Sequence, residues 1–193
     1  MSRNAHQPRQ QYYLDPFSKP IKATDNSLDR YRPKKTCIMI KEMRDIAYIE
    51  PTSTLLIDGH SGNNLDLLVN AYSSPTEKLS GVALAIKLQN YLPKNHIKIR
   101  LLACHGGSAL AKSLATWLGN MGYANIAVGG YMSTIWTGET HRALIDDGKE
   151  GGPWENFTGS GAVQWYNAKG NRISKPNVES DVHLYNPAFP TCY

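Results

Sequence analysis

The chain has 193 residues, 41% of them hydrophobic, and a formal net charge of +5. That length suffices for one domain with a real core, and no apolar run approaches the ~20 residues that a membrane helix needs. The first residues hold no apolar h-region, so the reading predicts no Sec-type signal, synthesis in the cytoplasm, and any export by a route that leaves no such signal.

Residues 1–35 carry eight Lys or Arg against three Asp, which accounts for the whole excess of +5. The basic bias therefore belongs to a polar arm, and residues 36–193 are read as a single α/β domain. Such an arm is expected to be a solvated tail tied down by Tyr12, Tyr13 and Phe17. Its charge would also suit an acidic lipid surface or a protein partner; a nucleic-acid partner is the less favoured reading. The three cysteines, Cys37, Cys104 and Cys192, are odd in number and widely spaced. That argues against a disulfide framework and against a paired-cysteine zinc site, and suits a reducing compartment.

In chain order, "KTCIMIKE" (35–42) predicts a first strand and "IEPTS" (49–53) a turn. "TLLIDGH" (54–60) is a short apolar run ending in Asp-Gly-His, as in a strand buried on both faces. Residues 61–74 read as a connection. Residues 74–93 read as a helix, with Ser74 as cap, Pro75 at the first helical position and Pro93 just past the end. "HIKIRLLAC" (96–104) is the clearest strand. "SALAKSLATWLGNMG" (108–122) is the clearest helix, with Ser108 as cap and Gly122 as terminator. "NIAVGGYMS" (125–133) reads as the next strand. Residues 134–161 suggest a long surface loop. "AVQWYNAKGNRISK" (162–175) alternates around "AKGN", as a β-hairpin does, and the last residues are expected to wrap the surface.

Strands alternating with helices imply right-handed crossovers and a mainly parallel sheet covered on both sides: a three-layer sandwich with a C-terminal hairpin. In such sheets functional groups gather beyond the carboxyl ends of the strands. Two strands end in reactive groups there, one at His60 and one at Cys104. If the strands are neighbours, the two groups share a rim, as a Cys–His pair requires.

The helix predicted after Cys104 turns its N-terminus toward the thiol, which favours the thiolate. Gly106 and Gly107 let backbone amides approach as an oxyanion site needs, and the turn around Gly59 and Gly62 could supply another. Asp58 either orients His60 or satisfies loop amides. His105 adjoins the thiol, but successive side chains point apart, which makes it a poor base unless the turn is unusual. Glu139 and His141, with Trp136 nearby, would line a substrate groove in the long loop. "DGHSGNN" has neither a lysine nor phosphate-loop spacing. Asp58, His60 and Cys104 are too few for a metal site.

"LLIDGHSG" and "IRLLACHGG" resemble the two marks of the clan CD cysteine peptidases, which share the caspase–hemoglobinase fold. These are an apolar strand ending in His-Gly and a later one ending in Ala-Cys. The nearest look is to the autoprocessing cysteine protease domains of RTX and clostridial glucosylating toxins and to related bacterial effector or adhesin-like domains. The resemblance spans roughly residues 53–133. It implies a caspase-like fold, Cys104 as nucleophile, and His60 as general base or imidazolium partner. It implies an oxyanion hole from the amide of Cys104 and one in the turn after His60. Ser61 stands where the family has glycine, although a serine still offers its amide.

The implied activity is peptide-bond hydrolysis through a thioester, in a bacterial effector or toxin protease acting on a protein or peptide substrate. The toxin domains take inositol hexakisphosphate as activator; no matching set of lysines is found here, and no cofactor is required by the reading. The alternative is a catalytically inactive interaction or adhesin-like module that keeps the fold. Ser61 and the aromatic residues Trp136, Trp154, Trp165 and Tyr166 would suit it.

Overall fold

The computed structural model describes residues 11–17, 37–40, 42–70, 75–132, 135–137, 143–145 and 163–174. Its strands are β1 (Gln11–Leu14), β2 (Cys37–Met39), β3 (Thr54–Asp58), β4 (Leu68–Asn70), β5 (Glu77–Leu79), β6 (Lys98–Leu102), β7 (Ala127–Tyr131), β8 (Ile135–Thr137), β9 (Ala143–Ile145), β10 (Val163–Asn167) and β11 (Arg172–Ile173). The helices are α1 (Gly81–Gln89) and α2 (Ala109–Asn120), with a 3-10 helix at Met43–Tyr48. Seven strands form one sheet in the order β11-β10-β7-β6-β3-β1-β2. The pairs among β2, β1, β3, β6 and β7 are parallel, whereas β10 and β11 are antiparallel.

The chain steps from β3 through α1 to β6, then through α2 to β7, each time in one direction across the sheet. Crossovers of one hand taken in one direction put both helices on one face. The two helices do pack against each other, and α2 lies along β7 and β10. Leu55, Ile57, Ile99, Leu101 and Val128 share one buried cluster with Leu84, Leu88, Leu110, Leu114 and Leu118 of the helices.

Between those strand positions the side chains alternate to the other face. There β6 presents Lys98 and Arg100, both buried. The Arg100 guanidinium lies 5.2 Å and the Lys98 ammonium 5.6 Å from the centre of the Trp165 ring. Trp165 crosses Gly129, where a Cβ would lie 2.6 Å from the indole. The central strands are buried on both faces, as a parallel sheet requires. Among the described residues, however, the two α-helices form one layer on one face.

Several expectations need correction. Gln11–Leu14, assigned to the arm, sit inside the sheet between β2 and β3. Leu14 is buried there, and the Lys87 ammonium donates to the Pro16 carbonyl at 2.7 Å, which ties this segment to α1. The helix expected from 74 begins only at Gly81. Ser80 is its cap, accepting from the Ala83 amide at 3.3 Å. Residues 77–79 instead pair with 68–70 in a small hairpin. Pro75 therefore precedes a strand, and Ser74 lies outside the described residues.

Ile86 and Trp117 are exposed, whereas Ala85, Ala111 and Ala115 are buried in the core. Small side chains at those positions let the helices approach each other and the sheet. Within the loop expected at 134–161, β8 and β9 pair as a short ladder. The end of α2 and the C-terminal hairpin follow expectation. Gly122 takes φ +95°, its amide reaches the Gly119 carbonyl at 3.0 Å and the Tyr123 amide reaches the Leu118 carbonyl at 3.0 Å. That is a Schellman closure.

Candidate functional site

The strands β3 and β6 are neighbours, parallel, with Asp58 opposite Leu102. His60 and Cys104 each lie two residues beyond that pair, so both follow strand ends at the same rim. Ile57 and Leu101 face the helices, whereas Asp58 and Leu102 belong to the other side of the sheet. Both α1 and α2 connect parallel strands, so both helix N-termini end at this rim and add partial positive charge to it.

His60 is exposed, and its backbone is held at both ends. Its amide donates to the Val69 carbonyl at 2.9 Å, and the Val69 amide donates back at 2.7 Å. Residues 61–68 are thereby closed into a loop. The buried Leu68 anchors it against Gly59, where a Cβ would lie 2.7 Å from the leucine side chain. Positive φ outside glycine occurs among the described residues at Asn64 and His105, not at Ser61. The turn after His60 therefore needs no glycine at position 61. Ser61 Oγ is buried and has no hydrogen-bond partner among the described residues.

Cys104 is half-buried and is not in a disulfide. The chain turns sharply after it. Gly106 donates its amide to the Ala103 carbonyl at 3.0 Å, and Gly107 donates to the Tyr131 carbonyl at 2.8 Å. Both amides are thus bonded within the fold. The two glycines also serve close packing. A Cβ on Gly107 would run into the Gly130 carbonyl, and one on Gly130 would lie 2.5 Å from the Gly107 nitrogen. Ser108 stands at the head of α2 but does not cap it with its side chain. Its hydroxyl donates to the His105 carbonyl at 2.7 Å.

His105 is the unusual turn residue, at φ 52°. Its Nδ1 lies 3.0 Å from the Met132 carbonyl, and since a carbonyl only accepts, Nδ1 carries the proton. That bond holds His105 toward the end of β7, whereas His60 follows β3, on the opposite side of β6. Asp58 is half-buried at the last position of β3. Trp136 lies in β8 opposite Leu144, and Glu139 and His141 lie outside the described residues.

Sequence reasoning overlooked the residues that fasten the His60 loop. The Asn64 amide donates to Ser108 Oγ at 3.2 Å. Asp66 accepts from the Gly81 amide at 2.9 Å and from Ser113 Oγ at 2.9 Å. Asn64 and Asp66 occur in "GNNLD", whose composition signals a loop but not what it touches. Among the described residues no group of three or more His, Cys, Asp or Glu side chains could hold a metal, and no helix is long and apolar enough to cross a membrane. No protein-family model matches the chain, and no curated protein matches it significantly, so the likeness to clan CD stands on the two strand-end motifs alone.

Proposed function

We propose that the protein is a cysteine-dependent peptide-bond hydrolase in which Cys104 is the nucleophile and His60 its proton partner. The in-register pairing of β3 with β6 carries this reading, because it brings the two strand ends to one rim. In the proposed reaction His60 takes the thiol proton and the sulfur attacks the scissile carbonyl carbon. The imidazolium then protonates the departing amine as the C–N bond breaks, leaving a thioester. Water, deprotonated by His60, attacks that thioester; the C–S bond breaks, the carboxylic acid product leaves, and the imidazolium returns the proton to the sulfur. By the resemblance, the protein would be a bacterial effector or toxin protease with a protein substrate. Inositol hexakisphosphate remains a ligand to test rather than one for which a motif argues.

A second reading has its own support. The Gly106 and Gly107 amides are both committed within the fold, which suits an interaction module that keeps the architecture without the reaction. One experiment separates the two. A peptidyl electrophile should label wild-type protein at Cys104, and Cys104→Ala should abolish both labelling and proteolysis. Proteolysis that survives Cys104→Ala would sink the assignment, and a wild-type protein that neither cleaves nor labels would favour the module.

A further inference from the structure

We propose that Asp66 is a positioning residue for His60, acting as the clasp that fixes the 61–68 loop against both helices. The proposal rests on the Cys104–His60 reading. Its two carboxylate oxygens are used separately: Oδ1 takes the first amide of α1, from Gly81, and Oδ2 takes the Ser113 hydroxyl of α2, each at 2.9 Å. One side chain thus joins the loop that begins at His60 to the helix that follows Cys104. The three groups meet in a space built for them. A Cβ at Gly81 would lie 2.7 Å from Asp66 Oδ1 and 2.5 Å from Ser113 Oγ.

A second stitch lies in the middle of the loop, at Asn64. Asn64, in the left-handed region at φ 58°, donates to Ser108 Oγ, which in turn donates to the His105 carbonyl beside Cys104. At the base of the loop, Val69 holds both backbone groups of His60. The loop is therefore pinned at its base, middle and far side, and Asp66 supplies the charge-assisted bonds, the stronger kind. Releasing Asp66 leaves the base intact but frees the segment that sets the loop's angle, and with it the imidazole's approach to the thiol.

The test is alkylation of Cys104 by iodoacetamide in the full chain, read by mass spectrometry of the peptide bearing that cysteine. If His60 activates the thiol, His60→Ala slows alkylation at about pH 6 by about tenfold, and Asp66→Ala slows it several-fold. The decisive comparison is the double variant. Acting through His60, Asp66→Ala adds nothing to His60→Ala, whereas a residue that only stabilises the fold slows both backgrounds alike. Asp66→Asn should restore much of the rate, since its oxygen still accepts from Gly81 and its amino group can donate to Ser113. Should Asp66→Ala fail to fold, Ser113→Ala removes one bond and carries the same comparison. A wild-type rate in Asp66→Ala, or equal slowing on both backgrounds, overturns the proposal while leaving the Cys–His pair standing. No slowing by His60→Ala overturns the pair, and the role of Asp66 with it.

Discussion

Two histidines stand at opposite rims of the paired strands β3 and β6, His96 just before β6 and His60 just after β3, and their surroundings differ. At the start of the strand His96 is 1% exposed. Its Nε2 lies 2.8 Å from the Lys98 carbonyl, so that nitrogen carries the proton, and Nδ1 is buried without a hydrogen-bond partner among the described residues. Burial lowers its pKa to about 4, against the opposing pull of the Lys98 and Glu50 carbonyls. At the far rim, His60 is exposed on a loop fixed by backbone and carboxylate bonds. A buried neutral imidazole holds structure and is hard to protonate, whereas an exposed one on a braced loop stays open to solvent. The comparison teaches that residue type at a strand end decides little, and that the manner of support decides more.

The sharpest way to break the far end is through its backbone packing. Gly107→Ala would drive a methyl group into the Gly130 carbonyl, so we expect a loss of ~3 kcal/mol or more in denaturant unfolding. At the near end the effect depends on pH. Folded His96 titrates near 4, below the unfolded value near 6.5, so the unfolded chain takes up a proton first as pH falls. Stability should be full above about pH 6.5 and fall by about 3 kcal/mol as pH drops to about 4. In His96→Gln that part of the slope should vanish from unfolding curves taken across the window.

Ser108→Ala removes the hydroxyl bonded to Asn64 and His105, and should cost about 1 kcal/mol in thermal unfolding. The smallest effect on stability belongs to His60→Ala, within ~0.5 kcal/mol, because the ring is exposed. A large loss there would mean that His60 is a structural residue like His96, and the contrast would fail.

The apolar strands around the site were legible in the sequence. "TLLIDGH" and "IRLLAC" are short, continuous and bounded by turn residues, and both form central parallel strands. Gly122 and the "AKGN" turn were equally legible, since each conformation demands a particular residue. The strand Gln11–Leu14 was not, because its only local mark is a pair of tyrosines within a polar, basic arm; its place between β2 and β3 comes from long-range pairing. The start of α1 is not legible, because Ser74 and Pro75 mimic a helix start while pairing of β5 with β4 keeps residues 77–79 extended. The candidate pair His60 and Cys104 could be proposed from the two strand ends. The Asp66 clasp could not, since its partners Gly81 and Ser113 are remote in sequence and their meeting depends on how the two helices pack.

The central claim is that one rim joins His60 to Cys104, and a crystal structure of the full chain tests it through the separation of Cys104 Sγ from the nearest His60 ring nitrogen. The account predicts a distance within about 7 Å, which modest closure can bring to hydrogen-bond reach. A much larger separation, with the 61–68 loop still clasped by Asp66, would contradict it.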